Sequence, residues 1–413
     1  MIKLNFDVKR HKLNNGLDVI TIKKETQIAS INIGIKVGAL YENINEKGIS
    51  HFIEHALFKG TKTRSDEELN DQLEALGGEY NAYTDYDATV YTISCLMEEF
   101  KNGVELLSDM IINPGFDKDE IEKERGVILS EIRTSKDDLE DFSFKKVNEV
   151  AFNKSALKYD VTGFDENVKR FTRDDILEYY NKYYTPENSL ITIVTPLEHE
   201  DAIKLIDEEF RMWKGKKLDK LNFIKEDNKE IVKISYKPNI EQSTIVYLYT
   251  FNELEKSDEL PLRILNHRLG ESSNSLLFRE VRENRGLAYD IYTHLEITNS
   301  IKTLYIYTAV AEENIDEAKN AIDETIKNIV NGNIQIGEKD LNIMKKVHKT
   351  AVISTLEDSS ELCNYMLHQA LEDEDIFEFV RDMDRLEQLD MIKINEVGKK
   401  VLKSPTIHIL KSS

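Results

Sequence analysis

The sequence repeats itself. Gly77-Gly78-Glu79-Tyr80-Asn81-Ala82-Tyr83-Thr84 can be laid over Gly286-Leu287-Ala288-Tyr289-Asp290-Ile291-Tyr292-Thr293, and Gly, Tyr, Tyr and Thr coincide at a constant offset of 209 residues. Residues 116–121 can likewise be laid over 336–341, and on that register Ala351 stands where Glu131 stands in the first copy. A chain of 413 residues is too long for one ordinary core. Repetition at this period restricts it to two similar units of about 200 residues each.

Within the first unit, residues 8–24 read as two strands around the turn signal Asn14-Asn15-Gly16. Residues 29–37 alternate, with Ile31, Ile33, Ile35 and Val37 on one face of a third strand. A helix over 48–59 follows. A second helix opens with Ser65 as cap and Glu68 at the capping-box position, and it ends at Gly77-Gly78. Two strands over 80–95 turn at 85–87. Phe100, Val104, Leu107 and Ile111 share one side of a helix over 98–113. A long helix starts at the cap Asp117, further helix follows to about Phe152, and then come a helix at 172–184, a strand at 189–196 and a helix at 198–210. Residues 212–229 are polar and without period, which predicts a linker. The second round has strands at 231–237 and 243–250, helices at 258–269 and 274–284, strands at 287–296 and 302–310, and helices at 314–331 and 337–357. The pattern predicts an α+β fold of two tandem homologous domains, each an antiparallel-rich sheet packed against helices. The first spans 1–211, the linker 212–229 and the second 230–413.

A formal charge of −22 disfavours non-specific binding to nucleic acid or anionic membranes. It is compatible with basic peptides without selecting them. Cys95 and Cys363 sit in different halves, so a reducing compartment is the default and the cytoplasm the expected location. The first residues lack the apolar run of a signal peptide, and no apolar stretch is long enough to span a bilayer.

Chemistry concentrates in His51-Phe52-Ile53-Glu54-His55. On a helix, positions four apart lie about 40° apart around the axis, so both imidazoles can reach one metal ion. Glu54 follows His51 by three and lies on the same side, able to address a water without being a ligand. This is the inverted zinc-peptidase motif, H-x-x-E-H. The blander reading is two core-facing histidines and a solvated glutamate on an ordinary helix. Glu124 and Glu131 lie seven apart on one face of the later helix, and Glu131 falls in an apolar run where a carboxylate needs a cation, a hydrogen bond or water. The second copy has no such motif, and its His267 reads as structural or exposed.

Several stretches together resemble the pitrilysin/insulin-degrading-enzyme family of zinc peptidases, and within it the mitochondrial processing peptidase β subunit and its bacterial homologues. They are 48–55 with Phe58-Lys59-Gly60-Thr61, Gly77-Gly78 leading to Asn81-Ala82-Tyr83-Thr84, Glu124-Arg125-Gly126-Val127-Ile128-Leu129-Ser130-Glu131, and 278–289. The resemblance implies the α/β roll of the metalloprotease LuxS/MPP-like type. It also implies one zinc ion per chain held by His51, His55 and Glu131, with Glu54 as general base on a zinc-bound water and Glu124 orienting a ligating histidine. Asn81 and Ala82 would lie on an edge strand that pairs with an extended substrate. Arg282 and Tyr289 would hold a peptide carbonyl or stabilise the oxyanion. Read without the family, Arg282 is one charge in a charged helix and Tyr289 a strand aromatic.

In the larger members of the family the Arg/Tyr segment acts across a closed chamber from the zinc, and four domains on one chain build that chamber. Here the zinc set lies in the first half and the Arg/Tyr set in the second. The expectation is a metalloendopeptidase acting on peptides or unfolded segments, assembled as a homodimer with shared active sites. The alternative is a catalytically silent scaffold or assembly subunit of the same fold.

Overall fold

The computed structural model describes residues 5–216, 218, 222–333 and 337–413. Residue 336, the first of the second overlay, lies outside the described residues, as do 217 and 219–221 of the expected linker.

Strands β1 (Phe6–Lys12) and β2 (Asp18–Lys24) form an antiparallel hairpin. Its turn needs a left-handed residue, supplied by Gly16 at φ +94°. There follow β3 (Ile28–Ile35), α1 (Ile49–Leu57), α2 (Asp66–Ala75), β4 (Glu79–Thr84), β5 (Thr89–Leu96), α3 (Phe100–Ile112), α4 (Lys118–Asp137), α5 (Leu139–Ala151), α6 (Asp165–Arg170), α7 (Arg173–Tyr183), β6 (Ser189–Thr195) and α8 (His199–Phe210). The six strands order as β1-β2-β6-β3-β5-β4, and only β2–β6 is parallel.

The second half contributes β7 (Ile231–Lys237), β8 (Ser243–Thr250), α9 (Lys256–Asn266), β9 (Ala288–Ile297), β10 (Lys302–Val310), α10 (Ile315–Val330), α11 (Glu338–Glu357), α12 (Ser359–Leu371), α13 (Glu378–Gln388), α14 (Met391–Val401) and β11 (Thr406–Ser412). Its sheet runs β7-β11-β8-β10-β9, again with one parallel pair, β7–β11. The chain is therefore two tandem α+β units, each a sheet packed against helices.

One face of the first sheet meets its own helices. Ile31, Ile33 and Ile35 are fully buried with Phe52, Phe100, Val104 and Leu107, as the alternation of β3 requires. The opposite face is covered from the other half. Leu362, Cys363, Met366 and Leu367 of α12 are buried against Ile20, Ile22, Val90, Leu190 and Val194. Thr192 Oγ1 donates to the Cys363 carbonyl at 3.0 Å, and a Cβ on Gly34 would stand 2.8 Å from Leu371 Cδ1.

The exchange is reciprocal. Val147, Ala151 and Phe152, on and just after α5, are buried with Val246, Leu248, Tyr305 and Tyr307 of the second sheet. Ser143 Oγ lies 2.7 Å from Thr244 Oγ1. Helices α5 and α12 each have 13 residues, and their caps Asp138 and Asp358 stand 220 apart.

Asp138 divides the helical stretch expected to about Phe152 into α4 and α5. Its backbone is extended at φ −64°, ψ 126°, and its side chain accepts from the Asp141 amide to start α5. Over 274–284 the expected α-helix becomes a wider π-helical turn at Phe278–Asn284. The described part of 212–229 is tied down: the Glu226 carboxylate accepts from the amides of Asn153, Lys154 and Ser155, and Asn228 pairs with Thr250.

Because each sheet is closed by the other half's helix, the two halves should unfold together. Leu367→Ala should lower stability by about 2–5 kcal/mol and keep a single thermal transition by calorimetry. It should also raise amide exchange in β3 and β6, which lie in the other half.

Candidate metal centre

Helix α1 starts at Gly48, whose φ of +96° and close approach to the Thr162 carbonyl leave no room for a side chain. The buried Glu42 carboxylate accepts from the amides of Gly48 (3.0 Å) and Ser50 (2.9 Å), satisfying the helix N-terminus. Phe52, Ile53, Ala56 and Leu57 sink into the core. His51, Glu54 and His55 are left on the side facing α4 and the end of β4.

There the structure brings together the three residues expected to hold a metal. Glu131 Oε2 lies 3.8 Å from His51 Nε2 and 3.6 Å from His55 Nε2. The imidazole centroids are 4.6 Å apart, and one donor atom from each of the three residues falls within 4.8 Å of the others. Ligands about 2.1 Å from a tetrahedral ion lie roughly 3.4 Å from one another. Two imidazole nitrogens and a carboxylate at these separations fit zinc and leave a fourth direction open. The Glu131 side chain is 45% exposed, so water and the cleft solvate it despite its apolar sequence neighbours.

Proton states suit this role. Burial, then the neighbouring His55, lowers the His51 pKa to about 4, so its ring is neutral at pH 7. Burial alone would also lower His55, but the Glu124 hydrogen bond and the nearby carboxylates Glu54, Glu131 and Glu124 outweigh it and raise the pKa. His55 Nδ1 donates to Glu124 Oε2 at 3.1 Å, which turns Nε2 toward Glu131. Glu124 is buried on α4 and its other oxygen meets Lys59 Nζ at 2.9 Å. Burial pushes the Glu124 carboxyl up, yet the bonds from His55 and Lys59 hold it below its ordinary value. Burial raises Glu54, against a 2.6 Å hydrogen bond donated by Thr84 Oγ1.

Asn81 and Ala82 lie on β4, the outer strand of its sheet. Arg282 and Tyr289 meet each other, the guanidinium standing 4.9 Å from the ring centroid. Tyr289 is 80% exposed, and among the described residues neither pairs with His51, Glu54, His55 or Glu131. Lys59 and Thr84 lie within the motif stretches, where the sequence assigns them no role. Lys59 could have been found by its spacing, four residues after His55 and two beyond the end of α1. The partner of Thr84 comes from a non-local contact that no local pattern encodes.

Residues 18–163 match "Insulinase (Peptidase family M16)" and residues 170–347 match "Peptidase M16 inactive domain". The chain belongs to the M16 peptidase family. It is 32% identical over 314 residues to an "uncharacterized zinc protease" of Rickettsia bellii, covering 75% of this chain and 74% of that one. It is 27% identical to "uncharacterized zinc protease YmxG" of Bacillus subtilis, over 86% and 85%. The crystal structure of a protease from Helicobacter pylori shares the fold at a TM-score of 0.91 and 21% identity, over 99% and 100%.

The M16 description of the second half as inactive has a visible basis. At the offset of 209, His51, Glu54 and His55 correspond to Leu260, Arg263 and Ile264. Leu260 and Ile264 are buried with Met344 in the second core. No described helix is long and apolar enough to cross a membrane.

In the metal-free protein, His51 should destabilise the fold as pH falls. Its folded value near 4 lies below the unfolded 6.5, so its contribution is full above 6.5 and lost between 6.5 and 4. The expected loss is about 3 kcal/mol. Chemical denaturation at pH 7 and pH 4 should show the difference shrinking by that amount in His51→Asn.

Proposed function

We propose that this chain is a zinc endopeptidase that hydrolyses peptides or unfolded polypeptide segments, with His51, His55 and Glu131 holding one zinc ion. The observation that carries the reading is the three-donor cluster with a further carboxylate, Glu54, beside it and fixed by Thr84. When bound, zinc supplies Lewis acidity, acidifying water and polarising a carbonyl.

The protein's own groups do the rest. Glu54 takes the proton of the attacking water and hands it to the leaving amine nitrogen. Its burial raises its basicity above that of an ordinary glutamate. Thr84 fixes the carboxylate oxygen that is not needed for the transfer. Glu124, anchored by Lys59, holds the His55 ring in the tautomer that presents Nε2. The outer edge of β4 at Asn81 and Ala82 pairs with an extended substrate backbone, and the sheet geometry aligns that strand with the cluster.

Arg282 and Tyr289 serve the site of a second copy, gripping the peptide carbonyl and stabilising the oxyanion. A C2 homodimer thereby closes two chambers, each lined by both chains. The buried, unpaired Cys95 and Cys363 support a cytoplasmic setting.

Three outcomes test this reading. Glu54→Gln should keep zinc by elemental analysis and lose at least a thousandfold in cleavage of a quenched fluorogenic peptide. Zinc without cleavage by the wild type over a broad peptide panel would point to a silent subunit. In sedimentation analysis the active species should be a dimer, and mixing Glu54→Gln with Tyr289→Phe chains should restore activity at one of the two sites. A monomer with full activity on long peptides would contradict the shared chamber.

A further inference from the structure

Two clefts, related by the internal repeat, lie beside the exchanged helices α5 and α12. The first, about 660 Å³, borders Glu131 and runs between α4, α5 and β9. The second, about 420 Å³, lies between α9, α11, α12 and α13. Its residues stand where the repeat demands. Ala351 replaces Glu131, Arg263 replaces Glu54, His368 replaces Asn148 and Phe379 replaces Tyr159. The second half has lost the metal donors and kept the cleft.

The chemistry of the retained cleft differs from that of the first. Most of its charges are committed. Glu378 is held by Arg381 and Arg385, and Asp382 also meets Arg385. Glu259 is bridged by Lys256 and Lys302. The Glu372 carboxylate accepts from the Asn299 amide. Arg263 alone among the charged lining residues has no ion pair or hydrogen bond within the described structure. Gln369 Oε1 is buried without a hydrogen-bond partner. A buried acceptor of this kind wants a donor. Leu260, Val352, Leu356, Tyr365 and Phe379 supply apolar wall.

A free carboxylate, an amide N–H one residue away and an apolar side chain would satisfy all three features together. We propose that this second cleft binds the carboxy-terminal end of a peptide, the α-carboxylate on Arg263, the adjacent amide donating to Gln369 and the apolar side chain against Leu356 and Phe379. The volume falls in the range of small-ligand sites, and guanidinium–carboxylate pairing is the strongest of the contacts. A fatty carboxylate would meet Arg263 and the apolar wall but would leave Gln369 without a donor. The site does not depend on zinc chemistry, so its failure and that of the peptidase reading are separable.

The test uses the full-length Glu54→Gln protein with its metal, which prevents turnover of the probe. Binding of N-acetyl-Leu-Phe, its C-terminal amide and octanoate is measured by titration calorimetry. The free acid should bind at least tenfold more tightly than either the amide or octanoate. Adding Arg263→Met should weaken the acid at least tenfold, and Ala351→Trp, which fills the cleft, should do the same. Both changes should leave the melting temperature and the zinc content in place. Equal binding of acid and amide, octanoate as tight as the peptide acid, or acid binding unchanged by Arg263→Met would each overturn the proposal. The last result would put the carboxylate at the metal centre instead.

Discussion

The contact between α1 and α4 is the constraint on which the site depends. A short helix can point two imidazoles at one spot, but a third donor and a support for one of the rings must come from elsewhere. Helix α4 brings both, Glu131 against the two Nε2 atoms and Glu124 against His55 Nδ1. The register between the helices is held by Arg125. Its guanidinium lies 5.5 Å from the Phe52 ring centroid, and it donates to the carbonyls of Val168 and Phe171. Lys59, two residues beyond the end of α1, reaches Glu124 from the other side. A shift of α4 by one turn would separate all of these partners at once, since one turn is about 5.4 Å.

The second organising feature is the exchange of helices. Neither sheet is buried on both faces by its own half. The edge-strand tyrosines mark how closely the repeat is kept: Tyr83 on β4 bonds to Asn364 and His368 of α12, and Tyr292 on β9 bonds to Glu140 of α5. The first cleft therefore has walls from both halves, whereas every residue lining the second comes from the second half, which still shapes a cavity after losing its metal donors. At the positions of His51, His55 and Glu124 the second half turned to packing, with Leu260, Ile264 and Met344 buried, and Ala351 stands in place of Glu131.

Much of this was legible in the sequence. The four-residue spacing of His51 and His55 and the alternation of Ile31, Ile33 and Ile35 translate directly into one helix face and one strand face. The overlays at offsets of 209 and 220 announced two similar units; the shared Tyr positions fall on matching edge strands, and the shared Gly77 and Gly286, both at positive φ, come just before them. What was not legible is non-local. The exchange of α5 and α12 leaves no local trace, because an amphipathic helix does not reveal which sheet it covers. Nothing was read from the chain beyond 357, where α12, α13, α14 and β11 form. The boundary between α4 and α5 could not be located, because one capping aspartate inside a charged helical stretch looks like any other. The partners of Glu54 and Glu124 required contacts between segments 30 and 65 residues apart in the chain.

The central claim is the identity of the metal centre. X-ray absorption at the zinc edge of the purified protein tests it most directly. The account predicts one zinc per chain with two imidazole nitrogens and light oxygen donors at about 2.0–2.2 Å, and a signal with one fewer oxygen donor or no zinc at all in Glu131→Ala. Sulfur ligation, three or more imidazoles, or a spectrum unchanged by Glu131→Ala would contradict it.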